Sequence, residues 1–391
     1  MRDRSVWLVT AGSFFAFFIF GFSDNLKGPT LPALLRDLHF SYSQGGTILL
    51  GAYVGFLVAT LFTGFLSDVA GKKVVIYVAG GCLLLGFAGY SAFRSFWLLT
   101  AAMVVLGLGL GSIEVGGNTI IVDLYREHKG RYLILLAVFH GLGSMLAPLY
   151  AGQLLAAAFS WRRVYQLSLL LVAILPLYFL CIRYPKGEPE LSSDMDLRRL
   201  GRVAFTGQMG WFYLLIAAYC AAEIGIGSWI VEFLQKTKDQ SVVVSSAFLS
   251  LFFAMIVAGR FLGSLLVERI GYLRMILLAA IGSLVCLALG IFGPPALSFF
   301  LPLTGLFFSI IFPTTTAAVS DLHRENVGAI LGLLFTFAGV GGMVGPWLIG
   351  LASDCVGIHR GPAVLFGFCL LMLVSVLVLM RRQPAKVPAA G

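Results

Sequence analysis

Four titratable groups lie inside stretches that are otherwise apolar: Asp24, Glu114, His140 and Glu223. A charge within hydrocarbon is expensive, so each such group is a site candidate by default. Carboxylates and an imidazole can do two things at such depth: take up and release a proton, and hydrogen-bond the hydroxyls of a polar solute. Glu114 stands nine residues before Asp123, where its apolar stretch ends, which puts it roughly 14 Å deep at the helical rise per residue. His140, ten residues after Gly130, lies about 15 Å deep by the same rise, so the two share a level. Asn118, four residues beyond Glu114, shares its helix face. Asn25 follows Asp24, and Lys27 is spaced to pair with that acid. Trp229, six residues after Glu223, is added as an aromatic wall, with Phe307, Phe308, Phe312, Phe335 and Phe337 as further wall candidates. Blander roles stand beside these: Glu114 and His140 as hydrogen-bonding struts between helices, Trp229 as an interfacial anchor, and the phenylalanines as packing or lipid-facing groups.

The elements that position these groups are long apolar segments. The chain is 59% hydrophobic and 12% charged, with a mean hydropathy of +0.95, far from the roughly 25% charged residues of soluble domains. Segments near 6–36, 41–67, 74–93, 96–122, 131–157, 163–182, 209–234, 243–267, 272–292, 297–319, 328–352 and 362–380 each approach the ~20 residues that span a bilayer. The expected fold is therefore an all-α polytopic membrane protein of twelve transmembrane helices. The first segment is expected to be retained, because Asp24, Lys27 and two prolines follow its apolar run where a small-residue cleavage site would stand.

The chain also repeats itself at a distance of about 200 residues, a like-oriented duplication of a membrane half. GRYLILLAVFHGLGSMLAPLYAG at 130–152 matches GAILGLLFTFAGVGGMVGPWLIG at 328–350, including Gly141/Gly339, Gly143/Gly341, Pro148/Pro346 and Gly152/Gly350. GFLSDVAGKK at 64–73 matches SLLVERIGYLR at 264–274, with Asp68 opposite Glu268 and Gly71 opposite Gly271. Two such halves imply a pseudo-twofold axis along the membrane normal and a site between lobes, the architecture of a secondary transporter. The halves are 1–182 and 209–391, joined by a cytoplasmic linker at 183–208. Asp24 and Glu223 fall at the same place in the two copies, so both should face the central seam and approach each other. Glu114 and His140 are matched by Phe312 and Ala338, so the titratable groups concentrate in the first half.

The net charge of +9 reflects topology and not nucleic acid: Lys and Arg cluster at the segment ends that are cytoplasmic if both termini are inside. Cysteines 82, 181, 220, 286, 355 and 369 are scattered singly, a spacing that suggests packing and neither disulfide nor metal. The Gly107-x-Gly109-x-Gly111 string follows no strand, so close helix packing explains it better than a dinucleotide loop. GxxxxGK[ST] is absent and no nucleophile–base spacing appears, so neither an ATP-driven pump nor an enzyme is expected, and no cofactor.

At the turn after the second segment, Gly64, Asp68, Gly71, Lys72 and Lys73 form a charged hinge. Asp68 is expected to pair with Arg126 at the end of the fourth segment and to latch the cytoplasmic side. Glu268, Arg269, Gly271 and Arg274 repeat the hinge, and Arg260 is expected near the inner surface as a partner for the loop acids.

This hinge, G-x-x-x-D-x-x-G-[RK]-[RK] over 64–73, resembles the signature of the major facilitator superfamily, and the resemblance runs the whole length of the chain. DNLKGPTLP at 24–32, EVGGN at 114–118, FHGLGSMLAP at 139–148 and YCAAEIGIGSW at 219–229 resemble the fucose-permease-like and sodium-dependent-glucose-transporter-like sugar transporters. The resemblance implies that Asp24 and Glu114 serve proton-coupled sugar uptake. The resulting expectation is a monomeric inner-membrane symporter of a sugar or similar small polar solute, with protons or sodium as the coupling ion. Proton-coupled efflux of a drug or metabolite is the alternative, since Gly341, Gly345, Pro346 and Gly350 come close to an antiporter-type motif, though on the eleventh segment and not the fifth.

Overall fold

A computed structural model describes residues 2–125, 129–182, 206–323 and 327–382. Among the described residues, twelve helices are long and apolar enough to cross a membrane: α1 (Ser5–Leu38), α2 (Tyr42–Ser67), α3 (Lys72–Ala92), α4 (Phe96–Leu124), α5 (Gly130–Ala156), α6 (Trp161–Cys181), α7 (Gly207–Thr237), α8 (Val242–Ile270), α9 (Tyr272–Phe292), α10 (Pro295–Leu322), α11 (Ile330–Val356) and α12 (Gly361–Arg382). The chain is thus an integral multi-pass membrane protein. Large apolar side chains such as Phe65, Leu85, Leu170, Leu180 and Phe261 point outward, as a hydrocarbon solvent permits. We call the end of the bundle where α1 begins and α12 ends the terminal face, and the opposite end the distal face.

Local sequence sets the helix boundaries. Ser41 caps α2 in a reciprocal capping box with Gln44, and Ser160, Thr206 and Ser241 cap α6, α7 and α8 through their side-chain oxygens. Two helices are broken where proline dictates. Pro29 lacks the N–H that would bond the Asn25 carbonyl, and its ring crowds that carbonyl, so the helix of α1 stops at Asn25 and resumes as Lys27–Leu38. Pro313 does the same to Ser309, dividing α10 into Phe300–Phe308 and Ile311–Leu322.

The repeat is realised in the packing of the backbone. In the first half the α-carbon of Gly143 on α5 lies against the Phe18 carbonyl of α1; in the second, Gly341 on α11 lies against the Ala217 carbonyl of α7. A Cβ at either glycine would collide with that carbonyl, so close approach requires the missing side chain. The hinge repeats as well: Gly71 and Gly271 end α2 and α8 with φ of 89° and 87°, a conformation open to glycine and costly for other residues. Gly107 and Gly111 on α4 pack against the Ala52 and Phe56 carbonyls of α2, the packing role their spacing suggests.

Candidate functional site

The polar groups of α1, α2, α5, α7 and α8 meet in the seam between the halves. At the break in α1, Lys27 Nζ donates to Asp24 Oδ1 at 2.5 Å, with the lysine 4% exposed and the aspartate 19%. The same ammonium lies 4.4 Å from the ring centroid of Tyr53 on α2, whose hydroxyl donates to Asp24 Oδ2 at 3.4 Å. Tyr53 borders the second half, its ring 3.4 Å from the point where a Cβ on Gly342 of α11 would stand. Both Asp24 and Glu223 act electrostatically on Tyr53 and on each other, so the two repeat-related acids lie in one field.

Glu223 has its own company. Tyr219, four residues earlier, shares its face of α7, and Arg260 from α8 is near enough to act on it electrostatically. Arg260 also acts on His140. This corrects the expected place of Arg260: ten residues from the end of α8 it is about 15 Å from that end, at the level of the central cluster and not beside the loop acids. His140 packs edge-on against Phe20 with ring centroids 4.5 Å apart, and Asp24 acts on it electrostatically.

Glu114 stands differently. Asn118 Nδ2 donates to its Oε1 at 3.1 Å and to its backbone carbonyl at 2.8 Å, and that amide is its one side-chain partner among the described residues. Asn25 is committed to packing: its amide donates to the Gly21 carbonyl at 2.9 Å and to Ser144 Oγ of α5 at 3.0 Å.

Trp229 does not line this cluster. It is 1% exposed, its indole N–H donates to the Pro346 carbonyl at 2.9 Å, and its ring meets Tyr42 near the distal face at 5.8 Å. Of the aromatic candidates, Phe308 is fully buried against Tyr219 and Phe252, whereas Phe312 stacks on Phe335 at 5.3 Å and tilts toward Tyr219 at 6.3 Å. Phe337 stacks on Tyr213 at 4.6 Å, and Phe307 packs over Gly282.

The hydrogen bonds that cross between the halves, among the described residues, lie toward the distal face. Tyr42 and Ser43 open α2, and their free backbone N–H groups donate to Oδ1 and Oδ2 of Asp354 on α11, each at 2.8 Å. The Tyr42 hydroxyl donates to Glu232 Oε1 of α7 at 3.1 Å, and Ser250 Oγ of α8 donates to the Met145 carbonyl of α5 at 2.6 Å. Asp354, Tyr42 and Glu232 are residues that sequence reasoning misses. At the terminal face the hinge lysines bind within the first half: Lys72 pairs with Asp123 at the end of α4, and Lys73 Nζ donates to the Ile182 carbonyl at 2.7 Å. The expected Asp68–Arg126 latch involves a side chain and a residue outside the described residues, as does most of the 183–208 linker.

Comparison with known proteins agrees with this architecture. The model of the Major Facilitator Superfamily matches residues 13–302 and 212–391. A glucose/galactose transporter of Brucella abortus is 27% identical over 369 residues, covering 88% of this chain and 87% of the relative. Among solved structures, a mutant form of the nucleoside transporter NupG superposes with a TM-score of 0.82 at 14% identity, covering 96% of this chain and 99% of that one. A D-xylose–proton symporter superposes with a TM-score of 0.78 at 12% identity, over 97% and 98% of the two chains.

Proposed function

We propose that this chain, which belongs to the Major Facilitator Superfamily and is a transporter, carries a sugar or similar small polar solute in symport with protons by alternating access. The observation that carries the proposal is the polar cluster in the seam, where Tyr53 bonds Asp24 of the first half and borders α11 of the second, the half that supplies Glu223. A hydroxyl-rich solute needs paired donors and acceptors beside an aromatic face. Asp24, Tyr53, Glu223, Tyr219 and Arg260 offer the first, and the Phe312–Phe335 stack the second. The Brucella relative, named a glucose/galactose transporter, supports the same solute class.

Glu114 is the group proposed to bind and release the proton. A carboxylate at mid-depth held by one amide carries a cost of several kcal/mol when charged, a cost that a proton removes. His140 and Asp24 are proposed to line the solute path beside it. With Lys and Arg enriched at the terminal face, that face is proposed to be cytoplasmic in the inner membrane, and the distal contacts then belong to an inward-facing state of a monomer.

The test is uptake by the purified protein in liposomes. An inward proton gradient should drive accumulation of labelled glucose or galactose, and collapse of the gradient should release it. Proton-driven movement of organic cations in the opposite direction, without sugar uptake, would replace this proposal with the efflux alternative.

A further inference from the structure

An acid inside a membrane protein needs a partner: a proton, a bound metal ion or a fixed side chain. At Asp24 the partner is built in. Lys27 Nζ sits 2.5 Å from Oδ1, is 4% exposed, and completes its surroundings with the face of Tyr53 at 4.4 Å, a contact that favours any cation. The oxygens gathered there, the Asp24 carboxylate and the Tyr53 hydroxyl, are of the hard kind that a monovalent metal cation would select. The repeat sharpens the point. Glu223, the counterpart of Asp24, takes its positive field from Arg260 on a different helix, and the counterpart of Lys27 is Ile226, so the lysine belongs to one half alone.

We propose that the Lys27 ammonium is a tethered cation that fills the place at Asp24 which a mobile coupling ion would otherwise take. Transport by this chain is accordingly independent of sodium, and removal of the ammonium converts the break in α1 into a site for a monovalent metal ion. The inference rests on the transporter reading for its meaning, and leaves Glu114 as the group through which an ion gradient acts. Taking away one member of a buried ion pair leaves an uncompensated charge. In Lys27→Met that charge is the carboxylate, and a ligand that binds only the folded state raises its stability by mass action.

Thermal unfolding of the purified full chain, without any solute, in sodium, potassium or choline chloride at equal ionic strength tests it. The wild type should melt at one temperature in all three salts. Lys27→Met should melt lower in choline and recover by several degrees in sodium or potassium. Asp24→Asn/Lys27→Met, which has neither charge, should lose the salt response. Should Lys27→Met not accumulate, Asp24→Asn carries the test: it strands the ammonium, so its midpoint should fall and be restored by adding Lys27→Met. A sodium-selective rise in the wild type overturns the proposal, as does a Lys27→Met protein indifferent to the cation, or an Asp24→Asn protein as stable as the wild type. Because no sugar is present, these results stand apart from success or failure of the uptake assay.

Discussion

The two halves share a backbone and differ in chemistry. Gly143 against Phe18 and Gly341 against Ala217 are the same contact made twice, as are the turns at Gly71 and Gly271. The polar groups set on that backbone are unlike. The first half neutralises Asp24 within its own helix through Lys27, and holds Glu114 on a single amide. The second half braces Glu223 with Tyr219 and the field of Arg260, and supplies the stacked rings of Phe312 and Phe335. The contrast assigns different duties. In the proposed cycle, equivalent helix packing would let the halves rock as similar rigid bodies, whereas coupling and solute recognition need no symmetry and would be divided between them.

The packing half of that comparison should break most severely. Gly143→Val and Gly341→Val each drive a side chain into a backbone carbonyl that cannot turn aside, at or beyond the ~3 kcal/mol upper end of ordinary overpacking. Both variants should lose monodisperse protein on size-exclusion chromatography. Loss in one and tolerance in the other would mean that the repeat is not mechanically equivalent.

The distal seam comes next. Asp354→Ala leaves two N–H groups of α2 without the carboxylate that caps them, a loss of about 1–2 kcal/mol. Tyr42→Phe removes the hydroxyl that bonds Glu232, a charge-assisted contact worth about 1.5–3 kcal/mol. In the proposed cycle these contacts are made only while the distal side is closed, so each loss should shift the equilibrium about fivefold or more toward distal opening. Labelling of a cysteine that replaces Ser250, buried at the distal seam and similar to it in size, should rise in both variants; unchanged labelling would remove this seam from the gate.

The smallest effect belongs to the hinge. Lys72→Gln breaks a pair with Asp123 that is partly open to solvent and lies within one half, so stability should drop by about 1 kcal/mol or less. Transport per folded molecule should stay near the wild-type rate. A large fall in rate without a fall in stability would show that the hinge acts between halves.

Much of this is legible in the chain because it is local. Apolar runs of bilayer length mark the spans, a Gly at matching positions marks both hinge turns, and i,i+3 and i,i+4 spacing brings together Asp24 with Lys27 and Glu114 with Asn118. Trp229 misleads although its spacing holds the answer: six residues turn an α-helix by about 600°, which leaves it some 240° around from Glu223. The charge of Arg260 suggests the membrane surface, while its distance from the end of α8 puts it at mid-depth. Tyr219 carries a usable signal, four residues before Glu223. Tyr42 and Asp354 carry none, because their contact joins helices from opposite halves and depends on how those halves dock.

The central claim is that Glu114 couples a proton gradient to solute uptake across this seam. Glu114→Gln keeps the size of the side chain and its bond to Asn118 but cannot titrate. Proteoliposomes bearing this variant should exchange labelled glucose or galactose between equal pools near the wild-type rate, yet fail to concentrate it under an inward proton gradient. Accumulation at the wild-type level by Glu114→Gln would contradict the account and move the coupling site elsewhere.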